Sequence, residues 1–145
     1  MVKWNGSDWF AQNSGTSQQL LGVWGSDSNN VWIVGTGGTI LKRNGTAWSP
    51  QASGTTKWLY GIWGSDPNNV WAVGDIGTIV KWNGTAWTDP HPPQTLAGVG
   101  RAGVVFDPPG PLGPALYIAG RSLLPGGSGS GDLVRFDGAS FASVP

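Results

Sequence analysis

Short apolar segments alternate with polar turns along most of the chain. In the best-defined stretch, the segments LLGVWGS, VWIVG, TILKR and TAWSPQ are separated by SDSNN, TGG and NG. This pattern predicts four short strands, named A to D in chain order, and helix signals are poor throughout. Because strand B is apolar on both faces, its sheet should lie between two neighbouring sheets. The Asn-Gly pair predicts a two-residue hairpin turn in which both residues take positive φ angles.

The same pattern recurs along the chain. A shift of 39 residues superposes 22–48 on 61–87, with 20 of 27 positions identical by direct count. Four-stranded sheets that recur about every 40 residues are typical of β-propeller blades, which bury their faces against one another. We therefore predict an all-β fold of β-propeller blades, each with four antiparallel strands. The predicted units are a half blade with strands C and D (1–19), two blades (20–58 and 59–95), and a degenerate blade with two loop insertions (96–145).

The two best copies are WGSDSNNVWIVGTGGTILKRNGTAW and WGSDPNNVWAVGDIGTIVKWNGTAW. They resemble a family of bacterial tryptophan-rich propeller repeats, closely over 21–89, partly over 1–19 and weakly over 96–145. The resemblance implies the propeller fold and a secreted or cell-envelope protein, and it brings no catalytic residues. The first residues, MVKWNGSDWF, lack the apolar centre of a signal peptide, so localisation depends on the resemblance alone.

About three and a half blades do not close a ring. A closed propeller has about 4 to 8 blades, and an open arc leaves strand edges and apolar blade faces exposed. Completion should come either from further sequence or from copies that assemble head to tail. We expect self-association, with a homo-oligomer closing the ring.

Charge and composition exclude several classes of partner. Eight Lys and Arg balance eight Asp, and Glu is absent. Without a concentrated positive patch, nucleic acid is not an expected partner, and no apolar run reaches the roughly 20 residues that membrane insertion needs. The chain has no Cys, no metal-ligand spacing and no phosphate-binding loop, so we predict no cofactor, no metal and no enzymatic activity. Asp27 could hold calcium with Asn29 and Asn30, but too few carboxylates are present, and turn capping is favoured.

Candidate binding residues lie where the copies differ. The B-to-C and D-to-A connections of a blade emerge on one face, and repeat scaffolds often vary one rim for binding. Trp58 interrupts the repeat, because its counterpart 39 residues earlier is Gln19. It could serve as a platform for a ligand, or it could pack locally with Tyr60. Residues 91–95 and the insertion that begins at Arg121 vary on the same face. The predicted ligand-binding residues on this face are Trp58, Lys57, Asp75 and Arg121.

Trp82 is a further candidate. Its strand C position is occupied by Trp4, Arg43 and Phe136 in the other copies. A position that accepts such different side chains is expected to be half-exposed, so Trp82 is predicted as a surface contact.

The leading functional hypothesis is a non-enzymatic, lectin-like propeller module that binds a carbohydrate or a protein surface. The first alternative is a structural, self-assembling repeat with no small ligand. The second alternative is a fragment of a glycan-cleaving enzyme, which would need a pair of carboxylates placed close together. The absence of Glu weighs against this last class.

Overall fold

The computed structural model describes residues 1–90, 98–106, 115–121, 132–136 and 140–144. The variable connection 91–95 lies outside these residues. So do both insertions of the last unit, apart from Arg121, which ends a strand.

Fourteen strands account for nearly all regular structure in the described residues. They are β1 (Val2–Trp4), β2 (Trp9–Ala11), β3 (Leu20–Asp27), β4 (Asn30–Gly35), β5 (Ile40–Arg43), β6 (Trp48–Gln51), β7 (Leu59–Asp66), β8 (Asn69–Gly74), β9 (Ile79–Trp82), β10 (Trp87–Thr88), β11 (Val99–Phe106), β12 (Ala115–Arg121), β13 (Asp132–Phe136) and β14 (Phe141–Ser143). Short 3-10 turns, Thr36–Gly38 and Asp75–Gly77, join B to C in two of the units. No helix among the described residues is long and apolar enough to cross a membrane.

The strands form antiparallel sheets in simple chain order. We name β3 to β6 the first blade, β7 to β10 the second blade, β11 to β14 the third blade, and the two-stranded sheet of β1 and β2 the half blade. The A strands stand side by side, with β3 against β7 and β7 against β11. The predicted fold class, all-β with propeller blades of four antiparallel strands, is confirmed.

Two apolar cores fill the spaces between blades. Trp32 and Val34 of the first blade pack with Val70, Ala72 and Val80 of the second, and all five are buried. A second core joins the second blade to the third, with the following buried members: Val73, Ile79, Leu116, Ile118, Val134 and Phe136. Because strand B contributes to the core on either side of its sheet, it has to be apolar on both faces, as its sequence is.

Glycine permits the close approach of neighbouring A strands. A Cβ atom at Gly22 would lie 2.8 Å from the carbonyl oxygen of Tyr60 in the next blade. Real Cβ atoms are not found so close to a backbone oxygen. The first blade therefore needs glycine at this position so that β3 and β7 can lie side by side.

The C-to-D turn differs from its prediction. Arg43 pairs with Trp48, so the loop holds four residues rather than two. Only its glycine has a positive φ, 95° at Gly45, and Asn44 does not. Instead, the Oδ1 atom of Asn44 accepts a hydrogen bond from the amide of Ala47 at 3.1 Å. The asparagine is thus used for its side-chain acceptor, and the prediction of a two-residue turn with two positive φ angles was wrong.

Candidate functional site

One group of side chains gathers where the second and third blades meet. We call it the rim cluster, and it consists of Trp58, Tyr60, Asp75, Ile76 and Arg101. Trp58 directly precedes β7, Tyr60 lies in β7, and Arg101 lies in β11. Asp75 and Ile76 belong to the 3-10 turn that follows β8.

Backbone hydrogen bonds hold the turn of the rim cluster in place. The amide of Asp75 donates to the carbonyl of Trp58 at 2.9 Å. The amide of Gly77 donates to the carbonyl of Gly98, which leads into β11. The same turn is therefore tied both to the strand start of its own blade and to the next blade.

Tyr60 is the centre of the cluster. Its ring meets that of Trp58 edge-on, with centroids 6.2 Å apart and planes at 64°. The Arg101 guanidinium carbon lies 5.2 Å from the Tyr60 ring centroid, a cation–π arrangement. Burial raises the pKa of the Tyr60 hydroxyl, the negative charge of Asp75 and a hydrogen bond to it raise it further, and Arg101 opposes them. The cluster thus combines two aromatic rings with one charge of each sign.

β-Bulges set the positions of Tyr60 and Arg101. The pairing of β7 with β8 skips Tyr60, and the pairing of β11 with β12 skips Arg101. The pairing of β3 with β4 skips Leu21 in the same way. Bulges redirect a side chain and are frequent beside functional sites. The blades thus present a row of equivalent bulge residues whose chemistry changes from leucine to tyrosine to arginine.

Two members of the cluster are apolar, large and solvent-exposed. Trp58 is 47% exposed and Ile76 is 61% exposed. Ile76 also has φ 51° and ψ 44°, the left-handed region, and it is the one non-glycine residue with positive φ in the described part of the chain. Such a conformation costs an L-residue about 1–2 kcal/mol. Strain of this kind tends to collect at functional sites.

The structure brings some predicted site residues together and separates others. Trp58 and Asp75 are joined within the cluster, whereas Lys57 is exposed next to it, with its amide bonded to the hydroxyl of Thr55 at 3.1 Å. Arg121 is exposed at the end of β12, in register with Val99.

The expected half-exposure of Trp82 was wrong. Trp82 is only 6% exposed, and its ring packs against Trp87 with centroids 5.8 Å apart. Lys42 of the first blade lies over it, with Nζ 5.2 Å from the ring centroid. Trp4 and Phe136 likewise pack against the aromatic residue that opens strand D, Trp9 and Phe141 respectively. Arg43 instead donates to the carbonyl of Ser28 at 3.1 Å.

Sequence reasoning named Tyr60 only as a packing partner of Trp58, which the ring contact confirms, and it did not identify Arg101. A signal was present for Tyr60, which replaces Leu21 at the equivalent position of the repeat. Arg101 lies in the degenerate unit, where the 39-residue shift no longer aligns the copies. Only the paired strands show that it occupies the bulge position of Tyr60.

The acidic turns on the opposite face act as caps. The amide of Asn29 donates to Asp27 Oδ1 at 2.8 Å, and the side chain of Asn30 donates to Oδ2 at 2.9 Å. Hydrogen bonds from Asn30 and Asn29 lower the pKa of Asp27 below its ordinary value. The turn-capping prediction is therefore confirmed. Among the described residues, no group of three His, Cys, Asp or Glu side chains could hold a metal ion.

Comparisons with known proteins support the fold. No family model matches the chain, and no curated protein matches it. The chain is similar to a β-propeller of known structure, YCF48 bound to a D1 peptide, at 19% identity and a TM-score of 0.66. The likeness covers 97% of this chain and 45% of that one, so the chain spans less than half the length of this neighbour. At this identity the likeness shows the fold alone, and membership of the tryptophan-rich bacterial family stays a prediction.

Proposed function

We propose that the chain is a non-enzymatic β-propeller module that binds an extended segment of another protein through the rim cluster. The observation that carries the proposal is the exposed indole of Trp58, which stands against Tyr60 at a position where the repeat itself does not require an aromatic residue. An aromatic side chain that the fold does not need is available for a partner.

The composition of the cluster favours a protein partner over a sugar. Trp, Tyr and Arg are the residue types most enriched among energetic hot spots of protein interfaces. Ile76 adds an exposed aliphatic surface, which suits an apolar side chain better than sugar hydroxyls. The peptide in the YCF48 structure is consistent with a propeller that accepts a protein segment, although it belongs to that protein.

A peptide selection tests the proposal. The full chain is immobilised, a random displayed peptide library is panned against it, and the winning peptide is titrated by fluorescence anisotropy. Trp58→Gln, which restores the residue of the preceding copy, should weaken binding by at least about tenfold, as expected for a hot-spot residue. Trp9→Gln is the matched control, because Trp9 is 68% exposed but lies in the half blade. It should leave the affinity unchanged.

Carbohydrate binding is tested in the same experiment. A glycan array probed with the same chain should give no signal that depends on Trp58. Glycan binding that is lost in Trp58→Gln, with no peptide selected, would replace the protein partner by a sugar. If Trp58→Gln and the unmodified chain bind the peptide with equal affinity, the rim cluster is not the binding site. Turnover of chromogenic glycosides would overturn the non-enzymatic assignment.

Self-assembly is a second candidate function, and exposed apolar residues in the half blade and in the third blade favour it. Trp4 and Trp9 in the half blade are 47% and 68% exposed, and Leu133 on β13 is also exposed. Association of copies through these residues would bury all three. Light scattering that gives a concentration-independent mass near 15.1 kDa would exclude it.

A further inference from the structure

The half blade is folded like the outer part of a complete blade but is left uncovered. Trp4 and Trp9 lie 5.6 Å apart with planes at 49°, and their counterparts Trp82 and Trp87 lie 5.8 Å apart with planes at 47°. The two pairs differ in burial. Trp4 and Trp9 are 47% and 68% exposed, while Trp82 and Trp87 are 6% and 7% exposed. The C-to-D hairpin of the half blade is thus already in its blade conformation, with two indoles in solvent.

In the complete blades, strand B pairs with the edge of this hairpin and makes a repeated side-chain contact with it. Trp71 pairs with Lys81, and the ammonium of Lys81 lies 4.8 Å from the Trp71 ring centroid. Trp32 pairs with Lys42, and that ammonium also lies 4.8 Å from its ring centroid. Each strand C lysine therefore lies over the tryptophan of strand B. Lys3 is the equivalent lysine, and in the described part of the chain β1 pairs with β2 alone.

A second exposed surface lies next to the half blade. Val23 on β3 is 67% exposed, whereas its counterpart Ile62 on β7 packs against the core between the first and second blades. At that complete junction, β7 is contacted by β3 and β4, the A and B strands of the preceding blade. The element that would cover Val23 is therefore the same pair of strands that would cover β1.

We propose that the half blade and the open face of β3 form a docking site for a two-stranded A-to-B hairpin of this same repeat. The incoming strand B pairs with β1, its tryptophan lies opposite Lys3, and the preceding valine lies opposite Trp4, as Val70 lies opposite Trp82. The occupant carries the pattern V-W-x-V-G. Complete blades of a second copy do not meet this requirement, because their A-to-B hairpins already pair with their own C strands. This site is separate from the rim cluster, so the two proposals stand or fall independently.

A synthetic hairpin tests the proposal with the chain's own sequence as the probe. The peptide LLGVWGSDSNNVWIVG, residues 20–35, is cyclised so that less ordering entropy is lost on binding. A fluorescent version is titrated with the full chain, and amide exchange is followed in parallel. Saturable binding with new protection of the amides in β1 is expected, since main-chain hydrogen bonds provide affinity when a strand is added to a sheet edge.

Variants of both partners identify the contact. Lys3→Gln should weaken hairpin binding about threefold to tenfold, as expected for loss of one cation–π contact. Lys57→Gln is the matched control, because Lys57 is exposed on the rim, and it should have no effect. A second hairpin carries Ser in place of its second tryptophan, residue 32 of the chain. It should bind the unmodified chain more weakly than the original hairpin does, whereas the two hairpins should bind the Lys3→Gln chain equally. Circular dichroism should show that both lysine variants are folded.

Three outcomes would overturn the proposal. The first is no binding of the cyclised hairpin at millimolar concentration. The second is binding that leaves the β1 amides unprotected or ignores both Lys3→Gln and the Ser-containing hairpin. The third is self-association of the chain that protects the β1 amides and buries Val23, and that an excess of hairpin does not reverse, which would assign this surface to a second copy.

Discussion

The 3-10 turns of the first and second blades, Thr36–Gly38 and Asp75–Gly77, follow the same backbone path but carry different side chains. Each begins after an extended glycine and ends at a threonine whose amide donates back to the first residue of the turn. The middle residue has positive φ in both, 64° at Gly37 and 51° at Ile76. The path of the chain is therefore a property of the repeat, and it does not depend on the residue that occupies it.

Hydrogen bonds between uncharged groups hold the first turn against the segment before β3. The hydroxyl of Thr36 donates to Gln18 Oε1 at 2.7 Å and accepts from the amide of Gln19 at 3.2 Å. In the second blade these residues are replaced by Asp75, Lys57 and Trp58, respectively. These replacements, together with Ile76 for glycine and Tyr60 for leucine, fall on one rim. A closed polar turn has become an exposed aromatic and charged surface, while the scaffold beneath it is retained.

Because the two turns share a backbone path, the same substitution should destabilise the chain equally in either blade. A Cβ atom on Gly35 would collide with the backbone carbonyl of Gln19, and one on Gly74 would collide with that of Trp58. Gly35→Ala and Gly74→Ala should each lower the free energy of unfolding by about 3 kcal/mol, because a backbone clash is not relieved by a rotamer change. Urea denaturation measures both. A large loss in one variant only would show that the two turns are not equivalent.

The middle residue of the turns should affect stability in opposite directions. Ile76→Gly removes the left-handed strain and should raise the free energy of unfolding by about 0.5–1 kcal/mol, after the greater entropy of unfolded glycine is subtracted. Gly37→Ile should lower it by about as much. Thermal unfolding of both variants tests this pair. If Ile76→Gly is stabilising but weakens peptide binding, the strain serves the site; a destabilised Ile76→Gly would mean that the isoleucine packs favourably.

Tyr60 should make the second blade sensitive to alkali. Burial and Asp75 raise the pKa of its hydroxyl in the folded chain above the ordinary value of about 10. The folded state then holds the proton more tightly than the unfolded state, so this contribution is present below about pH 10 and is lost as the pH rises through the higher folded value. Tyr60→Leu, which restores the residue of the first blade, should flatten the stability profile above pH 10. An unchanged profile would contradict this assignment.

Much of the fold could be predicted from sequence because the length of the repeat and its apolar pattern indicate four-stranded blades. Apolar residues on both faces of strand B require sheets on either side, and the structure has Trp32 and Val34 buried between blades. The C-to-D loop was mispredicted because Asn-Gly is also compatible with a four-residue loop in which asparagine serves as a side-chain acceptor.

The candidate site was less accessible to sequence reasoning. Comparison of copies found Trp58 and Asp75, since both replace a repeat residue. The prediction for Trp82 was wrong, because substitution between copies does not imply exposure: Trp82 is buried against Trp87, while Arg43 at the same position bonds to Ser28. Arg101 could not be found at all, since the bulge that aligns it with Tyr60 is a feature of strand pairing. Lys57 and Arg121 remain predicted contacts.

The ten tryptophans allow one direct measurement of where a partner binds. Their indole N–H signals can be assigned in a ¹⁵N spectrum and followed while the selected peptide is added. Trp58 should show the largest shift, with Trp4 and Trp9 of the half blade and the buried Trp82 unmoved. A stationary Trp58 signal, with saturable shifts at Trp4 and Trp9, would contradict a binding site at the rim between the second and third blades.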